Sequence, residues 1–222
     1  MVTMDSPSAE RNKDPIWSVL ESTVLPSLIA DGDSLPLNVL EVAAGCGVHS
    51  TYFVQKMAEN NIAVQWYPTD PDEPSLISLQ ERVKEYAASD KAQISNPLKL
   101  TLDEEGIMES GTKDALANQT INLMMCMNMI HISPWSATLG LFELASQRLH
   151  SGGILMTYGP YKVNGTAAPS NLQFDDNLRA RNTDWGVRDL ERVQAVAEDK
   201  HLKLSKTIQM PANNLCLIFT KA

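Results

Sequence analysis

Cysteine is scarce in this chain: Cys46, Cys126 and Cys216 are the three among 222 residues, each in or beside an apolar segment. They share no metal-ligand spacing. An odd, patternless set excludes a disulfide framework and predicts reduced thiols in an intracellular, cytoplasmic protein with no metal site. Long apolar runs are missing too. Leu123 to Ile130 falls far short of the ~20 residues that cross a bilayer and reads as a buried strand, so no membrane partner is expected. The first fourteen residues are polar and charged, which argues against a signal peptide. Positive charge is in deficit: 18 Lys and Arg against 27 Asp and Glu leave a net charge of −9. A protein that tracks phosphates needs a basic face, so nucleic acid is excluded as a partner. Local basic residues, Lys162 and those from Arg179 to Arg192, suit a small anionic or hydroxylated molecule instead.

What is present is alternation. Hydrophobic residues make up 43% of the chain, enough for one sizeable core and a single domain over 1–222. Helical spacing is expected from Pro15 to Ile29, with Pro15 opening the helix. Strand Leu37–Val42, a helix from Val48 to Glu59, strand Ala63–Tyr67 and a helix from Pro74 to about Ala88 follow. Leu98–Leu102 reads as a third strand and 104–118 as a loop with a turn of helix. Ile121–Met127 reads as a fully apolar strand and Ser136–Leu149 as a helix that Gly152-Gly153 break before strand Ile154–Tyr158. A polar insertion fills 159–189 before a helix to Lys200. Leu202–Gln209 and Leu215–Thr220 are too close for a crossover helix and must pair antiparallel. The expected fold is α/β, doubly wound and Rossmann-like, with a mostly parallel seven-stranded sheet and a C-terminal antiparallel hairpin.

The most informative stretch is Glu41-Val42-Ala43-Ala44-Gly45-Cys46-Gly47. A strand ends on an acid, enters a small-residue turn and meets a helix N-terminus, so backbone can approach a ligand closely. An acid at that point repels a phosphate and suits a ligand with ammonium or hydroxyl donors. The pattern E-x-A-x-G-x-G resembles the E/D-x-G-x-G-x-G turn of class I methyltransferases, with Ala43 in place of the first glycine. That resemblance implies S-adenosylmethionine as cofactor. Asp70 ends the next strand at the distance where a strand-helix-strand unit sets a carboxylate on ribose hydroxyls. The alternative for Asp70, an N-cap of the following helix, falls more naturally to Asp72.

In an open α/β sheet ligands bind beyond the carboxyl ends of the strands. This expectation gathers Glu41 to Gly47, Asp70, Asp103, Asn128 to Trp135 and Tyr158 to Tyr161. Glu41 would draw the ammonium group or a water, Gly45 and Gly47 would admit the methionine part, and Asp103 would accept from the adenine amino group. His131 is read either as a general base or as a residue that caps a helix or satisfies a carbonyl. Trp135 either stacks on a ligand or covers the core. Tyr161 stands behind His131 as a second catalytic candidate. The insertion 159–189, with Asn171, Arg179 and Arg181, reads as the substrate side together with Tyr158; a solvated helix is the other reading.

Longer strings carry a more specific resemblance. They are Glu10-Arg11-Asn12-Lys13, Gly45-x-Gly47 with His49, Thr69-Asp70-Pro71-Asp72, Asn128-Met129-Ile130-His131-Ile132-Ser133-Pro134-Trp135, Tyr158-Gly159-Pro160-Tyr161-Lys162, Trp185-Gly186-Val187-Arg188-Asp189 and Met210-Pro211-Ala212-Asn213-Asn214. In these the chain resembles the uncharacterised methyltransferase-like family that includes methyltransferase-like protein twenty-six. Ala44, Cys46 and Val48 make its turn more apolar than that family's. The resemblance implies an S-adenosylmethionine-dependent methyltransferase acting on a small molecule. It also implies that residues 1–14 cover the cofactor, with Arg11 and Asn12 near its amino-acid end and Asn128 on the same ligand. A non-methylating enzyme on the same cofactor fold, or a non-catalytic binding protein, stay open as alternatives.

Overall fold

Leu37–Val42 forms the first strand because Val39, Leu40 and Val42 can be buried on both faces of a parallel sheet. A computed structural model describes residues 4–29, 36–86 and 90–222. The chain divides into two compact units, 1–101 with 108–125, and 102–107 with 126–222.

In the first unit, helix α1 spans Pro7–Val19, five residues of π-helix follow over Leu20–Val24, and α2 covers Leu25–Ile29. The expected opening at Pro15 is corrected to Pro7. Pro15 lies inside the helix, where buried Ile16, Trp17 and Val19 hold it in place despite the lost backbone donor. Then come β1 (Leu37–Val42), α3 (Val48–Glu59), β2 (Val64–Asp70) and α4 (Glu73–Glu85). Asp72 is the N-cap of α4, its carboxylate accepting the Ser75 amide at 2.9 Å. The expected third strand at 98–102 shrinks to β4 (Leu98–Lys99), and a short strand, β3 (Ala92–Ile94), precedes it; both pair parallel with β2. Helix α5 (Ser110–Ala115) and β5 (Ile121–Met127) follow, and the strand order here is β3-β2-β1-β5. Trp17, Phe53 and Trp66 join α1, α3 and β2, with ring centroids 6.4 and 6.1 Å apart.

In the second unit the elements are α6 (Trp135–Arg148), β6 (Leu149–Gly159), β7 (Tyr161–Lys162), α7 (Pro169–Arg181), β8 (Arg188–Asp189), α8 (Leu190–Asp199), β9 (Leu202–Met210) and β10 (Asn214–Lys221). Gly152-Gly153 do not break the chain before a strand. Gly152 takes φ +81° and β6 runs through it, so the strand begins five residues earlier than expected at Leu149. The order is β6-β10-β9, with β10 antiparallel to both neighbours, as the short connection at 211–213 required. Phe142 of α6 meets Phe219 of β10 edge to face at 5.0 Å. Separately, β7 and β8 form a two-stranded parallel pair that closes the insertion.

Among the described residues, no helix is long and apolar enough to cross a membrane.

Candidate functional site

The turn after β1 is built on three left-handed residues. Ala43, Gly45 and Gly47 have φ of 56°, 58° and 83°. The two glycines serve different ends. A Cβ on Gly45 would meet nothing within 4 Å, so its face is open to a ligand. A Cβ on Gly47 would lie 2.2 Å from Leu79 Cδ1, so this glycine lets α3 close on α4. Ala43 bears its left-handed backbone with a side chain, at a cost of about 1–2 kcal/mol.

Asp70, at the end of β2, reaches back to this turn. Its Oδ2 accepts the Gly45 amide at 2.8 Å and its Oδ1 the Asp72 amide at 3.0 Å. Burial raises its carboxyl pKa, opposed by those two amides. Glu41 behaves differently. It is 1% exposed, and its Oε2 accepts from both Ser50 Oγ and Trp66 Nε1, the latter at 2.8 Å. Burial lifts its pKa to about 7, against the pull of Ser50 and Trp66, and the Asp70 charge adds to the rise. Glu41 thus ties β1 to α3 and β2 inside the core.

Asn12, expected near the cofactor, is likewise committed within the protein. Its Oδ1 lies 2.7 Å from His49 Nε2, both side chains are buried, and His49 stacks on Phe53 at 5.4 Å. Burial lowers the His49 pKa to about 4. Arg11 is exposed. The N-terminal segment does reach the turn: Ala9 packs with Cys46 and Val48. Arg82 of α4 donates to the Cys46 carbonyl at 2.8 Å and to the Met4 carbonyl at 3.3 Å, and the Met4 amide donates to Ser78 at 2.8 Å. His49 drew no role from the sequence beyond a motif position, and Arg82 drew none.

In the second unit, Asn128 turns the chain out of β5 at φ 62°, its amide donating to the Tyr158 carbonyl at 2.8 Å. His131 follows, 5% exposed, its ring edge-on to Phe174 at 5.5 Å. A Cβ on Gly159 would lie 3.0 Å from His131 Nδ1, so the glycine makes room for the imidazole. Burial first, then the Arg188 charge, lowers the His131 pKa to about 4, and the ring is neutral at neutral pH. The structure thus brings together Asn128, His131, Gly159 and Phe174.

Other candidates are occupied elsewhere. Tyr161 is buried, its hydroxyl 2.9 Å from Thr157 Oγ1, and burial pushes its pKa well above the usual tyrosine value. Its polar atom is therefore spent in the interior, on Thr157. Tyr158 is buried, with its hydroxyl accepting from Asn214 at 2.9 Å, and Asn171 is buried and donates to the Asn213 carbonyl at 2.8 Å. Both secure the hairpin turn. The Trp135 ring is covered by Arg192, 4.0 Å from its centroid, in a cation–π contact. Asp103 closes its own turn by accepting the Ile107 amide at 3.0 Å, and its carboxylate is exposed.

Asp175 organises the insertion. It accepts from Lys162 at 2.7 Å, Arg179 at 3.1 Å and the Val187 amide at 2.8 Å. Burial works to raise its pKa, but these donors outweigh it and hold it below the usual carboxylate value. Arg179 is thus an ion-pair partner, while Arg181 is exposed. Among the described residues no group of three or more His, Cys, Asp or Glu is placed to hold a metal ion.

Residues 3–221 match the profile of a family described as protein of unknown function (DUF938). Among solved structures, an O-methyltransferase family protein from Burkholderia thailandensis superposes with a TM-score of 0.69 at 11% identity, over 97% of this chain and 57% of that one. Magnesium protoporphyrin IX methyltransferase from Synechocystis PCC 6803, with bound SAH, gives 0.62 at 14% identity, over 100% of this chain and 90% of that one. An O-methyltransferase family 2 protein from Planctomyces limnophilus, in complex with apigenin, gives 0.62 at 15% identity over 95% and 62%. The chain spans a little over half the length of the Burkholderia protein. These likenesses show the α/β fold of class I methyltransferases, with a mostly parallel central sheet and antiparallel C-terminal strands.

Proposed function

The chain belongs to the family described as protein of unknown function (DUF938), and we propose that it is an S-adenosylmethionine-dependent methyltransferase acting on a small molecule. The observation that carries this reading is the open left-handed turn at Gly45 with the Asp70 carboxylate bonded to its amide. The residues present fit the cofactor. No atom stands within 4 Å of a Cβ placed on Gly45. Each Asp70 oxygen spends one lone-pair direction on a backbone amide and keeps capacity to accept a hydroxyl. That acceptor pair suits the hydroxyl donors of a ribose edge. The resemblance to the methyltransferase-like family that includes methyltransferase-like protein twenty-six, and the SAM- or SAH-bound state of solved methyltransferases of this fold, point the same way.

When bound, the cofactor supplies a methyl group on a sulfonium. The chain's own contribution is placement: Asp70 orients the ribose, Gly45 admits the backbone-close part, and α1 covers the turn through Ala9. Within the second unit, His131 is neutral at working pH and able to accept a hydrogen bond, and Phe174 beside it is 38% exposed and offers an apolar wall. Positioning of this kind supplies on the order of 7–11 kcal/mol in favourable cases. Arg11, exposed in the first unit, keeps the carboxylate contact within this proposal.

Calorimetric titration of S-adenosylmethionine into the protein tests it. Heat that disappears in Asp70→Ala supports the assignment; no heat with the unaltered protein overturns it.

A further inference from the structure

The string Trp185-Gly186-Val187-Arg188-Asp189 accounts for nothing in the reaction described above, yet it holds the loop on which His131 stands. We propose that Arg188 is a positioning residue: its guanidinium gathers the carbonyls on either side of His131 and so fixes where the imidazole stands. The inference rests on the methyltransferase reading only for what His131 does, not for how it is held.

The geometry is direct. Arg188 Nε donates to the Ile130 carbonyl at 3.3 Å, and Nη2 donates to the Ser133 carbonyl at 2.8 Å. The same Nη2 donates to the Asp184 carbonyl at 2.6 Å, closing the clamp within its own segment. Between these anchors, the His131 carbonyl accepts the Gly186 amide at 2.9 Å. Three of the four carbonyls from Ile130 to Ser133 thus turn toward 186–188, leaving the imidazole on Gly159 and Phe174. Gly186 is there because only glycine fits: its φ is +149°, and a Cβ would stand 2.6 Å from Asp175 Oδ1. Asp175 also takes the Val187 amide, so the Lys162–Asp175 ion pair braces the clamp from behind. A planar fork with several fixed donors suits this task, and lysine cannot reproduce it. The positive charge of Arg188 also disfavours protonation of His131, which keeps the ring ready to accept.

The test is an NMR titration of the His131 ring in the full chain, alongside calorimetry with S-adenosylmethionine. In Arg188→Met the His131 pKa is expected to rise by at least one unit, as the cation is lost and the loop opens to water. In Arg188→Lys, which keeps the charge without the fork, it rises by less. Affinity for S-adenosylmethionine stays within twofold in both, while turnover of an acceptor falls at least tenfold. A folded Arg188→Met protein with an unchanged His131 titration overturns the proposal. Should both variants fail to fold, hydrogen exchange at Gly186 in the unaltered protein decides: strong protection supports the clamp, and exchange at the rate of an open loop overturns it. Absence of cofactor binding in the unaltered protein would sink the methyltransferase reading, and the titration would still decide the place of Arg188.

Discussion

Asp70 Oδ2 and the Gly45 amide, 25 residues apart in sequence, meet at 2.8 Å across the first strand-helix-strand unit. One carboxylate therefore shapes the turn at the glycine whose side-chain face is open. Removing it has two effects. Asp70→Ala leaves two amides without their acceptor, costing about 1–3 kcal/mol of stability, and removes the hydroxyl acceptor. Thermal unfolding with saturating S-adenosylmethionine is expected to show a rise in Tm for the natural protein and none for the variant.

Ala43 holds a left-handed backbone at φ 56°. Glycine adopts this conformation freely but costs roughly 0.5–1 kcal/mol more chain entropy. Ala43→Gly is expected to stabilise the protein by up to about 1 kcal/mol, or roughly 2–4 °C in Tm for a chain of this size, in urea or thermal unfolding.

Glu41 has its pKa raised from 4.5 to about 7 by burial. A folded-state pKa above the unfolded one means that its contribution is full below pH 4.5 and is lost as pH climbs through 7. The loss reaches about 3 kcal/mol. Glu41→Gln keeps an oxygen for Ser50 and Trp66 and carries no charge. The variant should match the natural protein near pH 4.5 and exceed it in stability at pH 8, as read from urea midpoints at each pH.

His49 gives the opposite slope. Its pKa is lowered from 6.5 to about 4, so its contribution is present above pH 6.5 and fades as pH falls toward 4. Asn12→Ala leaves the buried imidazole without its partner and should cost about 1–3 kcal/mol at pH 7. Chemical unfolding of the variant at pH 7 measures it.

Tyr161 bonds Thr157 in the interior, so Tyr161→Phe should leave cofactor affinity and turnover unchanged while lowering stability by about 1 kcal/mol. Kinetic and unfolding measurements on the one variant check both.

The order of elements was legible wherever apolar residues form long runs. Strands Leu37–Val42 and Ile121–Met127 and helix Val48–Glu59 stand at the boundaries read from sequence. Ala92–Ile94 was not legible, because a three-residue strand with one buried side chain carries no pattern. Pro15 misled because a buried face outweighs one lost helical bond, and Gly152 because a left-handed glycine can sit within a strand. Motif spacing pointed to Asp70 and Gly45, which meet at 2.8 Å. Where Glu41, Asn12, Tyr158, Tyr161 and Asn171 direct their polar atoms was not. Residue type advertises chemistry, while partners such as Ser50, His49, Asn214, Thr157 and Asn213 come from folding. Arg188 stood in a motif string, but its role was not legible because its three hydrogen-bond acceptors are main-chain carbonyls, which leave no mark on side-chain identity.

The indole of Trp66 is fully enclosed and its N–H is spent on Glu41. A chromophore wired to a carboxyl that changes charge near neutrality is a built-in optical gauge. Its emission colour should follow the electrostatics behind the glycine turn without any label being attached.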